Sequence, residues 1–124
     1  MSYRTPLAKV DGLGAAHSGV EHFWRQRVTA VALVPLSIWF VYAALGLVGA
    51  DRDTALAFLH EPVNAVLLIL FILATVIHMA LGVQVVIEDY LPNETQKIVA
   101  LMLNRAFAWA VGAVCLLAVL KIAI

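Results

Sequence analysis

The stretch PVNAVLLILFILATVIHMALGVQVVI, residues 62–87, is the longest uncharged run in this chain. It runs for 26 residues without an aspartate, glutamate, lysine or arginine, which is about 39 Å of α-helix and enough to cross a bilayer. An uncharged run at 28–50 precedes it, and a third extends over 100–123 when Arg105 and Lys121 reach towards lipid headgroups. We therefore predict an all-α integral membrane protein with three transmembrane helices, at about 28–50, 62–87 and 100–123.

The composition excludes several classes of protein. Of the 124 residues, 64% are hydrophobic and 13% are charged, whereas soluble domains carry about 25% charged residues. Eight basic residues balance eight acidic ones, so there is no basic surface for nucleic acid. The single cysteine, Cys115, allows neither an intrachain disulfide nor a cysteine metal cluster. We expect one membrane domain over residues 1–124, without a separate catalytic domain.

The basic residues predict the direction of the spans. Cytoplasmic segments beside transmembrane helices carry an excess of lysine and arginine. Segment 1–27 and the region between the second and third spans hold six basic residues, and the opposite side holds two. This distribution predicts a cytoplasmic N-terminal segment, 1–27, and an external C-terminus. The six are Arg4, Lys9, Arg25, Arg27, Lys97 and Arg105, and the two are Arg52 and Lys121.

One histidine lies deep in the second span. An ionisable side chain there costs a few kcal/mol, so His78 is expected to face protein, water or a cofactor. Gly82 follows one turn later on the same face, where a missing side chain lets a flat group approach. A haem ligand and a histidine hydrogen-bonded to a neighbouring helix both satisfy this pattern. Because six-coordinate haem needs two ligands, the second would come from another polypeptide, either a second copy or a different partner.

Acidic and phenolic side chains follow at the end of the same span. Asp89 lies about 16 Å along the helix from His78 and about 20° around it, so the two share a face at different depths. Tyr90 is offset by about 120°. A phenol at this depth can donate a hydrogen bond to a quinone carbonyl. An ordinary interfacial tyrosine is the alternative.

A polar cluster precedes the first span and contains His17, Glu21, His22, Arg25 and Arg27. Arginine pairs with carboxylates in a bidentate manner, so the cluster can bind haem propionates. The alternative is that these residues anchor the chain among lipid headgroups.

Two stretches of the sequence resemble a known family. Residues 22–30, HFWRQRVTA, resemble the N-terminal motif of the small haem-anchoring subunit of bacterial succinate dehydrogenase. Residues 77–82, IHMALG, with 86–90, VIEDY, look like the second-helix signature of that subunit: a histidine, a glycine four residues later, and Asp-Tyr eleven and twelve residues later. The length and three-helix layout match as well, so the resemblance covers nearly the whole chain.

The resemblance implies roles for particular residues. His78 matches the axial ligand of the haem b iron, with the second ligand given by a larger anchor subunit. Tyr90 matches the tyrosine that hydrogen-bonds ubiquinone, and Asp89 its acidic neighbour. His22 and Arg27 match positions near the haem propionates, where Arg25 is an alternative to Arg27. The histidine at position 17 has no counterpart.

The function implied is that of a membrane anchor and electron-transfer subunit of succinate:ubiquinone oxidoreductase in the bacterial inner membrane. Its partners would be the larger haem-anchor subunit, an iron–sulfur subunit, a flavoprotein subunit and membrane lipid, and ubiquinone would be the substrate. The chain alone is expected to have no succinate-oxidising activity. Three alternatives stay open: a fumarate reductase anchor, a haem-free structural membrane partner and a homodimeric b-type cytochrome.

Overall fold

The computed structural model describes residues 5–7 and 17–124, and for residues 17 and 18 it describes the backbone alone. Two of the basic residues that predict the orientation, Arg4 and Lys9, and the side chain of His17 therefore lie outside the described part. The chain from residue 17 onward forms four helices. They are α1 (His17–Gly46), α2 (Arg52–His60), α3 (Pro62–Tyr90) and α4 (Glu94–Ala123).

Three of the helices are long and apolar enough to cross a membrane: Gly19–Gly46, Pro62–Tyr90 and Glu94–Ala123. The predicted all-α membrane fold with three spans is confirmed. The helices extend beyond the uncharged runs at several ends, since α1 begins at His17, before Val28, and α4 begins at Glu94. Charged residues at these ends lie on helix rather than in loops.

The short helix α2 was not predicted from the sequence. After α1 ends at Gly46, a turn follows in which Gly49 adopts φ +77°, a conformation open mainly to glycine. Asp51 then caps α2 by accepting a hydrogen bond from the backbone N–H of Thr54 at 3.0 Å. Hydrogen bonds from Thr54 hold the pKa of the Asp51 carboxyl below its usual value.

A three-residue connection joins α3 to α4. Leu91 precedes Pro92 and is extended, because a residue before proline disfavours the α conformation. The side chain of Asn93 then accepts hydrogen bonds from the backbone N–H groups of Thr95 and Gln96, at 3.0 and 3.1 Å, and starts α4. The tight connection makes α3 and α4 antiparallel neighbours.

Helix α3 lies at the centre of the bundle, packed against α1 on one side and α4 on the other, and α2 contacts α3 and α4. The buried apolar residues are nearly all alanines, which let transmembrane helices approach closely. They are Ala43, Ala65, Ala74, Ala108 and Val119. At most 11% of the most apolar stretch of any span is buried within the chain. Most of each helix is therefore left to lipid or to other subunits.

Gly112 of α4 packs against Val76 of α3. A methyl group added there would meet Val76 Cγ1 at 3.5 Å, which is ordinary van der Waals contact. We expect Gly112→Ala to be neutral, whereas Gly112→Leu should destabilise the protein by about 1–3 kcal/mol, since the larger side chain pushes the helices apart. Thermal unfolding of the purified protein in detergent measures this. Equal Tm values for the two variants would show that Gly112 and Val76 do not pack closely.

Candidate functional site

Three contacts set the antiparallel register between α1 and α3. The rings of Phe40 and Phe71 stack with centroids 4.6 Å apart. Further along α3, His78 contacts Thr29. One turn later, Gly82 faces Gln26. The interface is aromatic near the C-terminal end of α1 and polar near its N-terminal end.

His78 is half-buried and bonded to the neighbouring helix. Its Nδ1 atom lies 3.1 Å from Thr29 Oγ1. The same hydroxyl lies 2.7 Å from the carbonyl oxygen of Arg25 and 3.1 Å from that of Gln26. His78 Nε2 makes no hydrogen bond with the described residues and is not fully enclosed by them. The structure thus places one ring nitrogen in a hydrogen bond and leaves the other without a partner among the described residues.

Gly82 has one described neighbour on α1. A methyl group added at Gly82 would have Gln26 Nε2 as its neighbour, at 3.9 Å. This distance is ordinary van der Waals contact with the end of one side chain. The approach of a flat group at Gly82 therefore stays a prediction.

We call His22, Gln26, Thr29 and His78 the polar stripe. The three α1 members lie within about 60° of one another around that helix. Two enclosed atoms of the stripe, His22 Nε2 and Gln26 Oε1, have no hydrogen-bond partner among the described residues. Buried polar groups are nearly always paired. These two atoms therefore indicate that water, a ligand or another subunit completes the stripe.

The two candidate arginines lie on different sides of α1. Arg25 is about 40° around the helix from Thr29, and it forms an ion pair with Glu21. Arg27 is about 160° from Thr29, with its guanidinium 5.2 Å from the centre of the Phe23 ring. The structure brings His22 and Arg25 towards α3, and it places Arg27 on the far side of α1.

The quinone candidates lie at the last turn of α3 and are exposed. Asp89 and Tyr90 make no hydrogen bond or ion pair with the described residues, and Tyr90 is 79% exposed. The preceding Glu88 accepts a hydrogen bond from Gln84 at 2.8 Å. Both candidate side chains are free to contact a molecule outside the chain.

A groove of about 680 Å³ runs over α3 between α1 and α4. Apolar side chains line most of the groove. Arg25 lies on its α1 side, and Asn104 and Arg105 lie on its α4 side. Asn104 also donates a hydrogen bond to the carbonyl oxygen of Ala80 at 2.8 Å, which ties α4 to α3. His78 does not line the groove, so the polar stripe and the groove are separate features.

Sequence reasoning missed Thr29, Gln26 and Asn104. A signal for the first two existed: with His22 they recur at helical spacing on one side of α1. Within the described residues, no three histidine, cysteine or carboxylate side chains group to hold a metal ion.

Comparisons with known proteins give a consistent result. Residues 1–120 match the family model described as succinate dehydrogenase/fumarate reductase transmembrane subunit. The succinate dehydrogenase hydrophobic membrane anchor subunit of Paracoccus denitrificans is 33% identical over 121 residues, covering 98% of this chain and 93% of that protein. The subunit of the same name from Rickettsia bellii is 36% identical, over 72% of this chain and 71% of that protein.

The succinate dehydrogenase membrane anchor subunit of Reclinomonas americana is 32% identical over 94 residues, with 73% of this chain and 78% of that protein covered. No solved structure gives a significant match.

Proposed function

Because the chain belongs to the family of succinate dehydrogenase/fumarate reductase transmembrane subunits, we propose that it is the membrane anchor and electron-transfer subunit of a succinate:ubiquinone oxidoreductase. It gives one axial ligand to haem b and part of the ubiquinone site. A larger haem-anchor subunit, an iron–sulfur subunit and a flavoprotein subunit complete the enzyme. The relatives named above are succinate dehydrogenase subunits, which favours this direction over fumarate reduction.

The observation that carries the haem proposal is the state of His78. Its Nδ1 atom is engaged by Thr29, and its Nε2 atom has no partner within the described chain. Ligating histidines ordinarily hold one ring nitrogen in such a hydrogen bond while the other binds the metal. When bound, haem b supplies a one-electron carrier within the membrane.

The propionate end of the haem is proposed to lie towards the N-terminal end of α1. The unpaired Nε2 atom of His22 supplies a hydrogen-bonding group there. Of the two arginines, Arg25 lies nearer the face that packs on α3, and this favours it. Arg27 can contribute where a propionate or another subunit reaches the far side of α1.

The ubiquinone site is proposed to include Tyr90 and Asp89. The Tyr90 phenol is exposed and makes no hydrogen bond within the described chain, so it can donate one to a quinone carbonyl. Asp89 is also exposed and lies on the face of α3 that carries His78. The quinone and the haem therefore occupy different depths of the same subunit.

The complex is proposed to lie in a bacterial inner membrane with the N-terminus of this chain in the cytoplasm. The three apolar helices account for the multi-pass membrane location. The distribution of lysine and arginine supports the orientation. Succinate oxidation and quinone reduction would then both occur on the cytoplasmic side.

Deletion of the gene for this chain tests the proposal. We expect the succinate-driven reduction of ubiquinone by membranes to be lost, because the catalytic subunits lose their anchor. Succinate-driven reduction of a soluble dye should remain and move to the soluble fraction. The intact gene on a plasmid is the control and should restore quinone reduction. Quinone-reducing activity that stays in membranes without this chain would refute the anchor role.

A further inference from the structure

The hydroxyl of Thr29 has more acceptors around it than protons to give. It carries one proton, and its oxygen lies 2.7 Å from Arg25 O, 3.1 Å from Gln26 O and 3.1 Å from His78 Nδ1. The two carbonyl oxygens can only accept. The proton of the hydroxyl must therefore lie towards a carbonyl, because two oxygens 2.7 Å apart repel each other when no proton lies between them.

With its proton on Arg25 O, the Thr29 oxygen can only accept from the histidine. The hydrogen bond is then His78 Nδ1–H to Thr29 Oγ1. The neutral imidazole carries one N–H, so Nε2 is left with its lone pair. We infer that Thr29 is a positioning residue that fixes this tautomer of His78 and directs Nε2 to the haem iron. The inference rests on the haem ligation proposed above.

Thr29 is suited to hold a ring in one orientation. Its branched side chain has few rotamers on a helix, and the bond to Arg25 O selects one of them. The hydroxyl also lies on a different helix from His78, so it connects the ligand to α1 as well as to its own helix. A ligating histidine whose second nitrogen donates to an oxygen is the more basic ligand.

Substitution of Thr29 tests this role in the intact complex. Thr29→Val keeps the shape and removes the hydroxyl, Thr29→Ala removes the hydroxyl with less bulk, and Thr29→Ser keeps it. The matched control is Thr75→Val, since Thr75 lies one turn from His78 on α3 and makes no hydrogen bond through its hydroxyl among the described residues. The readouts are haem per assembled complex and the midpoint potential of the haem.

The valine and alanine variants should bind haem about tenfold more weakly. Their haem potential should rise, because a less basic ligand stabilises the oxidised iron less. Thr29→Ser and Thr75→Val should match the parent protein in both readouts. The potential is measured on assembled, haem-containing complexes, so a loss of assembly does not produce the shift.

Unchanged haem content and potential in Thr29→Val and Thr29→Ala would overturn the inference, as would equal losses in Thr29→Ser. An equal shift of the haem potential in Thr75→Val would also overturn it, because the loss of any nearby hydroxyl would then produce the same effect. His78→Ala, prepared in parallel, separates the two proposals. If that variant keeps its haem, the ligation itself is wrong. If it loses haem while Thr29→Val keeps both the haem content and the potential of the parent, only the role of Thr29 is wrong.

Discussion

Replacing His78 by alanine should remove haem b from the purified complex. In the described chain, His22 and His60 are the other histidine side chains, and neither lies near the middle of α3. His22 lies about 10 Å along α1 from Thr29, too far to replace the missing imidazole. We expect the reduced-minus-oxidised spectrum of the assembled variant to show no b-type signal above background.

His60→Ala is the matched control for this experiment. His60 is exposed at the end of α2, before the first residue of α3. The control should keep the full haem content of the parent. Subunit amounts measured on the same samples separate loss of haem from loss of assembly. A His78→Ala complex with the haem content of the parent would leave His78 as a packing residue.

Replacing Tyr90 by phenylalanine should reduce succinate-driven ubiquinone reduction roughly 100-fold, the size of effect seen when one donor to a developing negative charge is removed. Haem content and succinate-driven dye reduction should be unchanged, because the phenol makes no hydrogen bond within the described chain. Steady-state assays with quinone and with dye on the same membranes measure the ratio of the two activities.

Tyr42→Phe is the control, because Tyr42 is also 79% exposed but lies near the C-terminal end of α1. It should leave both activities unchanged. If Tyr90→Phe reduces quinone at the parent rate, Tyr90 is an interfacial tyrosine and the quinone site lies elsewhere. An equal loss in both activities would instead indicate damage to the assembly.

The number and order of the spans could be predicted because long uncharged runs leave few alternatives in a bilayer. The helix ends could not, since charged side chains such as those of Glu94 and Lys97 are compatible with helix at a membrane surface. The short helix α2 was missed although Asp51 and Thr54 carry its capping signal. The signal is brief, and a helix of nine residues is too short for a helical pattern to stand out in the sequence.

Part of the candidate site could also be predicted from the sequence. His78 is conspicuous because it is polar in an apolar span, but its partner Thr29 is an ordinary residue of α1. Beyond Arg27, α1 is apolar on nearly all sides, so its hydrophobicity does not show which side packs on α3. The contact between Gly82 and Gln26 could not be predicted for the same reason, since Gln26 belongs to α1.

Shared haem ligation is tested by a reduced-minus-oxidised visible spectrum of the tagged chain purified in mild detergent, alone and with its partner subunits. We expect a b-type haem signal when the larger anchor subunit is present and none from the chain alone. Haem in the isolated chain would support a homodimeric cytochrome instead. A complete complex without haem would contradict the role of His78 as a ligand.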